Sequence, residues 1–258
     1  MSTTARTATP SATASVRVEG LRVSFRGVEA LKGLEFSFGG PQVVGILGPN
    51  GAGKSTLLDV LEGLRRPTAG RVWLLGQALG EGYPRGRVGA VLQREFVTDR
   101  MSAREYAALF STLQGVRDGA PGILREAGLE HRAEVPLDRL SGGEAQRLHL
   151  HTALAHDPDL LFLDEPSAHL DPMSRQRFGE RLKAEGRRRT VVLCTHDLTE
   201  AEAVCDRVLF LVDGVLRREG TVEALLEAVP PEARHTGTLA DAFFHACGAR
   251  LTDKGDLA

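Results

Sequence analysis

Nine consecutive residues, Gly48-Pro49-Asn50-Gly51-Ala52-Gly53-Lys54-Ser55-Thr56, limit what this chain can fold into more than any other stretch. They read G-x-x-x-x-G-K-[ST], a glycine loop shaped for phosphate. The apolar run Val43-Val44-Gly45-Ile46-Leu47 before them predicts a buried parallel strand. After them, Leu57, Leu58, Val60, Leu61 and Leu64 recur at helical spacing. Strand, loop and helix together would aim backbone N–H groups and the positive end of the helix dipole at a polyphosphate. Lys54 would then reach the β- and γ-phosphates, and the Ser55 hydroxyl a Mg2+ ion. An ordinary glycine turn accounts for neither side chain.

A length of 258 residues suits one large α/β domain or a domain with an inserted subdomain. The net charge of −2 and the pI near 6.5 give no broad basic field, so no nucleic-acid partner is expected. Arg187-Arg188-Arg189 and Arg217-Arg218 adjoin turns and read as solvated surface. The three cysteines have no metal-ligand spacing and suit a reduced, cytosolic setting. Cys194, in the run Val191-Val192-Leu193-Cys194, reads as core filler. No apolar stretch approaches the roughly 18–20 residues that span a bilayer, so work at a membrane would need another chain. Residues 1–15, rich in Ser, Thr, Ala and Arg without an acid, read as a disordered extension rather than a targeting sequence.

Strands are expected over residues 16–23 and 35–38, around a loop carrying Phe25, and over 70–76, with Trp73 in the core. A further strand over 88–92 ends at Gln93. From Ser102 to about His156 the pattern is helical and reads as an inserted subdomain. Strand character returns at 160–163, 191–194 and 208–212. Between these lie a helix from Pro172, with Asp171 as N-cap, and another through 200–205. The tail from Thr221 reads as short helices.

Two further segments carry chemistry. Leu160-Leu161-Phe162-Leu163-Asp164-Glu165 is an apolar strand delivering two acids at the edge where open parallel sheets place their ligands. Asp164 is a candidate Mg2+ ligand and Glu165 a candidate base for an attacking water. Leu140-Ser141-Gly142-Gly143-Glu144-Ala145-Gln146-Arg147 opens a helix and makes a second anion-binding terminus. One triphosphate does not need two such termini from one chain. Two chains arranged head to tail, each offering this terminus to the other's nucleotide, resolve the redundancy.

Together these segments closely resemble the ATP-binding cassette (ABC) family, over nearly the whole chain from Val16 to Gly248. Gly48, Pro49, Asn50, Gly51, Ala52, Gly53, Lys54, Ser55 and Thr56 match its Walker A loop. Gln93 matches the Q-loop glutamine, a catalytic and Mg2+-contacting position. Ser141, Gly142 and Gly143 fall in the signature, and Asp164 and Glu165 end Walker B. Residues 167–171 match the D-loop, with His169 at an often smaller position. His196 matches the switch histidine that contacts the γ-phosphate, and Phe25 the aromatic that stacks on adenine. Phe25 stands in place of a commoner tyrosine, and Glu144 in place of a commoner glutamine, adding negative charge near the partner's nucleotide.

The resemblance implies an α/β P-loop NTPase (RecA-like) core with a small antiparallel β subdomain and an inserted α-helical signature subdomain at about 96–156. The ATPase domain would span 16–220 and a C-terminal helical tail 221–258. It implies ATP and Mg2+ as ligands, a second cassette as partner, and a separate transmembrane permease. A groove near Gln93 and residues 94–101 would grip a cytoplasmic helix of that permease. The protein would sit in the cytoplasm, peripheral on the inner face of the membrane. Too few positions separate Lys54 from Ser141 for the long coiled coils of chromosome-organising relatives. The segment Thr238-Leu239-Ala240-Asp241-Ala242-Phe243-Phe244 resembles the end of exporter cassettes, so export of an unspecified substrate is expected. The alternative is a soluble ABC ATPase that assembles or remodels a protein complex, of the iron–sulfur assembly type.

Overall fold

The computed structural model describes residues 14–91, 100–117, 119–168 and 170–247. The chain begins with β1 (Val16–Phe25) and β2 (Val28–Phe38), joined by Arg26-Gly27, both at positive φ (46° and 89°). Two left-handed turn residues match the right-handed twist of the paired strands. The predicted loop around Phe25 is therefore a tight hairpin: Phe25 is the last residue of β1 and pairs with Val28. The pair is irregular, with three register shifts and Gly33 at φ 86°, which breaks the alternation, and β2 begins well before the expected strand at 35–38.

Next come β3 (Gln42–Leu47), the glycine loop and α1 (Lys54–Leu61), then β4 (Ala69–Leu74) and the short β5 (Gln77–Ala78). The first sheet is antiparallel, in order β2-β1-β4-β5. On β4, Val72 and Leu74 are buried while Trp73 points to the other face. The expectation of a core tryptophan is thus corrected. Strand alternation puts Trp73 between the guanidinium groups of Arg17 and Arg71, 4.8 and 5.3 Å from its ring centroid.

β6 (Val88–Val91) precedes the helical segment, α2 (Ala103–Leu113), α3 (Gly119–Ala127) and α4 (Gly142–Leu154). The remainder alternates: β7 (Leu160–Asp164), α5 (Pro172–Gly186), β8 (Thr190–Thr195), α6 (Leu198–Val204) and β9 (Arg207–Val212). β10 (Val215–Thr221), α7 (Val222–Glu227) and α8 (Leu239–Cys247) close the described chain. The second sheet runs β10-β9-β3-β8-β7-β6, parallel except for the β9–β10 hairpin. β10 escapes the sequence pattern because it is an edge strand whose Arg217 and Arg218 both face solvent.

The central parallel strands are apolar on both faces because both are covered. Val44, Ile46, Leu160, Phe162, Val192 and Cys194 pack toward the antiparallel sheet, with α1 between the two sheets. Val43, Leu47, Leu161, Leu163, Val191 and Leu193 pack beneath α5, α6 and α8. A separate core around Tyr106, Ile123, Leu124 and Leu148 holds α2, α3 and α4 together. One of the arginines expected in solvent is not there: Arg189 is buried, 2.8 Å from Asp157 and 2.9 Å from Glu185. Paired in this way, its charge fastens the end of α5 to the loop before β7.

Candidate active site

The strand order β3-β8-β7 brings three chemically distinct segments to one edge. Leu47 pairs with Thr195 and Cys194 with Asp164, so the strands end level. The glycine loop, His196 and the Asp164-Glu165 pair therefore leave the sheet side by side at its C-terminal edge, the ligand edge of such sheets.

Close packing explains why the loop needs glycine. A Cβ on Gly48 would stand 2.0 Å from the Leu211 carbonyl oxygen. Gly53 adopts φ 102°, and a Cβ there would stand 2.8 Å from Leu31 Cδ2 and 2.9 Å from the Ala30 carbonyl oxygen. The loop is thus clamped between β9 and β2, which sets the hairpin bearing Phe25 beside it. Pro49, Asn50, Gly51 and Ser55 lie at the loop's accessible rim, Ala52 packs inward, and Thr56 is half-buried in the first turn of α1.

Lys54 is buried, and its Nζ donates to the carbonyl oxygens of Gly48 (2.8 Å) and Pro49 (3.2 Å). The same Nζ lies 3.7 Å from Glu165 Oε1. Both Glu165 carboxylate oxygens are 3.0 Å from His196 Nδ1. Glu165 takes φ 46°, a strained conformation for a residue with a Cβ, and its N–H donates to the Cys194 carbonyl oxygen at 2.9 Å. Strain of this kind persists only where surrounding contacts impose it, and here it turns the carboxylate back toward Lys54 and His196.

Asp164 is buried, and burial followed by the neighbouring Glu165 charge pushes its carboxyl upward; the Ser55 hydroxyl and Lys54 oppose that shift. Its Oδ1 is buried without a hydrogen-bond partner among the described residues. An orphaned carboxylate oxygen beside a serine hydroxyl is a hard-oxygen pair that fits Mg2+, which keeps several waters and substrate oxygens and needs few protein ligands.

One acid here was missed by the sequence reading. Glu62 caps the C-terminal end of α1, and its Oε1 is buried without a hydrogen-bond partner among the described residues. Burial, then the charges of Asp164 and Asp59, push its carboxyl up to about 8. The available signal was an acid directly after the buried pair Val60-Leu61.

Ser141, Gly142 and Gly143 lie elsewhere. Ser141 N-caps α4 in a capping box: its Oγ accepts from Glu144 N–H (3.3 Å), and Glu144 Oε2 accepts from Ser141 N–H (2.8 Å) and Oγ–H (3.0 Å). Arg132 Nε stands 3.4 Å from Glu144 Oε1. The Ser141 backbone N–H, helped by the Ser141 hydroxyl and by Arg132 and Arg147, holds this carboxyl below its usual range against the opposing effect of burial. Gly143 faces α5, where Ser174 Oγ would be 3.2 Å from an added Cβ. Among the described residues, none of these hydrogen bonds or ion pairs reaches the glycine loop. Gln93, residues 94–99 and His169 lie outside the described residues.

An ABC transporter family model matches residues 31–168. The Nod factor export ATP-binding protein I of Rhizobium sp. (strain N33) is 36% identical over 221 residues, covering 83% of this chain and 73% of that protein. The ATP-binding subunit of an ABC transporter superposes with a TM-score of 0.78 at 24% identity, covering 90% of this chain and 99% of that one, a likeness of fold. A dimeric post-hydrolysis ATP-binding cassette bound to ADP and Pi gives 0.72 at 27% identity, over 80% of this chain and 98% of that one. With a glycine loop, two strand-end acids and a histidine gathered on one sheet edge, the chain belongs to the ABC transporter family as an ATP-binding and ATP-hydrolysing subunit.

Proposed function

We propose that this ATPase works as a head-to-tail pair of cassettes that drives export through a separate transmembrane permease, in the cytoplasm at the inner face of the membrane. The observation that carries the pairing is the division of the site: Lys54, Ser55, Asp164, Glu165 and His196 share one sheet edge, while the Ser141 terminus faces α5 at Gly143 and is paired through Glu144 with Arg132. A second chain would bring its Ser141, Gly142 and Gly143 to the open side of the nucleotide. Export rests on the relatives, whose names include Nod factor export. Among the described residues no helix is long and apolar enough to cross a membrane, so the span falls to the permease.

In this reading Phe25 stacks on adenine and the loop N–H groups of residues 48–56 bind the phosphates. Lys54 turns from the Gly48 and Pro49 carbonyls to the β- and γ-phosphates. Ser55 and Asp164, with Gln93, hold Mg2+, which supplies charge neutralisation on the phosphate oxygens. Glu165 accepts a proton from water as its oxygen bonds to the γ-phosphorus and the bond to the β-phosphate oxygen breaks, releasing ADP and phosphate. His196 holds the γ-phosphate and keeps Glu165 oriented. Complementation tests the pairing. Lys54→Ala and Ser141→Arg chains, each inactive alone, should together recover about a quarter of wild-type turnover if chains mix randomly and sites act independently. A mixture of wild type with the double variant should gain no activity from its mixed pairs. No recovery in the first mixture contradicts the shared site.

A further inference from the structure

The ring of Phe25 is not bare on both sides. Arg65, in the segment after α1, places its guanidinium carbon 4.4 Å from the ring centroid. Arg65 is itself held: its Nε donates to Asp59 Oδ2 at 3.1 Å, Nη2 stands 3.1 Å from the same oxygen, and its N–H donates to the Asp59 carbonyl. Three residues on, Thr68 is tied to β1, with its N–H donating to the Arg22 carbonyl (2.8 Å) and its Oγ accepting from Ser24 N–H (3.0 Å). The helix that begins at Lys54 thus carries Asp59 on its second turn, and Asp59 holds Arg65 against Phe25. Phe25 remains 39% exposed, enough for a base to reach the ring.

We propose that Arg65 is a positioning residue for base recognition, holding the Phe25 ring ready and polarising it for stacking against adenine. The proposal rests on the reading of Phe25 as the base platform. A cation over one face of an aromatic ring draws density from the other, which favours an electron-rich purine. A ring fixed before binding also loses less freedom when the nucleotide arrives. The Asp59–Arg65 pair connects this platform to the helix whose first turn meets the phosphates, so base and phosphate recognition share one rigid element.

Binding titrations with MgATP, MgADP and inorganic tripolyphosphate, with steady-state hydrolysis, test it. Arg65→Ala should weaken ATP and ADP binding equally, by roughly two- to fivefold, the scale of one exposed cation–π contact. Tripolyphosphate binding should not change, KM should rise and kcat should stay constant. Arg65→Lys should recover part of the loss, and adding Arg65→Ala to Phe25→Ala should cost nothing more. Unchanged or tighter ATP binding by Arg65→Ala would mean that Arg65 merely covers the ring and would overturn the proposal. So would an equal loss for tripolyphosphate, or full additivity with Phe25→Ala. If Phe25→Ala itself binds ATP normally, the base-platform reading fails, an outcome separate from a defect confined to Arg65.

Discussion

The glycine-loop edge and the start of α4 are both helix N-termini with polar side chains, yet they handle charge in opposite ways. At the loop edge, Glu165 and Asp164 lie beside Lys54, with Glu62 at the far end of α1 adding its charge to Asp164; Asp164 Oδ1 and Glu62 Oε1 have no hydrogen-bond partner among the described residues, and Glu165 is strained. At α4, Glu144 is matched by the Ser141 N–H and hydroxyl and by Arg132 and Arg147. The first region carries an excess of acid that a divalent cation would relieve; the second is balanced by groups of its own chain. A group left unsatisfied in a folded protein marks where a ligand is awaited, and a satisfied cap marks a rigid surface.

The harshest way to break this contrast is Lys54→Ala. Removing the buried ammonium beside Glu165 should lower turnover by about 10²–10³-fold, the scale of losing a preorganised transition-state donor. ATP titration should show weakened binding, while a thermal melt shows a folded protein. Normal ATP binding with a collapsed melting temperature would mean that Lys54 serves only the Gly48 and Pro49 carbonyls.

A smaller effect is expected from Glu144→Gln. Glutamine can keep the capping box while deleting the charge nearest the proposed partner's triphosphate. ATP-dependent dimerisation, measured by sedimentation, should tighten by about two- to fivefold, comparable with one charge at a helix terminus. No change would show that Arg132 and Arg147 already cancel Glu144.

A further expectation concerns pH and stability rather than turnover. Glu62 in the folded protein titrates near 8, against an ordinary 4.5. The folded state therefore holds its proton more tightly, so its contribution is fully present below about 4.5 and is lost as pH rises through 8. Wild-type melting temperature should fall by about 2–4 °C for each kcal/mol lost across that window. Glu62→Gln, a mimic of the protonated form, should flatten the slope. An unaltered slope would place the titration elsewhere, Asp164 being the next group to examine.

Much of the loop edge was legible because glycine, lysine and paired acids have sharp local requirements: Gly48 and Gly53 leave no space for a Cβ, and an all-apolar β7 announces its buried position. What escaped depends on neighbours distant in sequence. Trp73 read as core because nothing local reveals that Arg17, 56 positions earlier, lies beside its ring. Arg189 read as solvent because the run Arg187-Arg188-Arg189 looks like surface; its partner Glu185 is one helical turn away, but Asp157 lies 32 positions earlier. The first part of β2, before the expected strand at 35–38, was hidden by bulges, and β10 by solvent-facing arginines, which erase the period of two. Glu144 was visible as an added charge, but its capture by Ser141 and Arg132 needed the fold.

The central claim, that one strained carboxylate does the chemistry of a site completed by a second chain, is tested most directly with Glu165→Gln. The substitution keeps shape and hydrogen-bonding capacity while removing the base, and it leaves Lys54, Ser55 and Asp164 in place. Hydrolysis should fall by about 10²–10⁴-fold, and size-exclusion chromatography should show a dimer with ATP and a monomer with ADP. A Glu165→Gln protein that remains monomeric at saturating ATP and hydrolyses it at the wild-type rate would contradict the account.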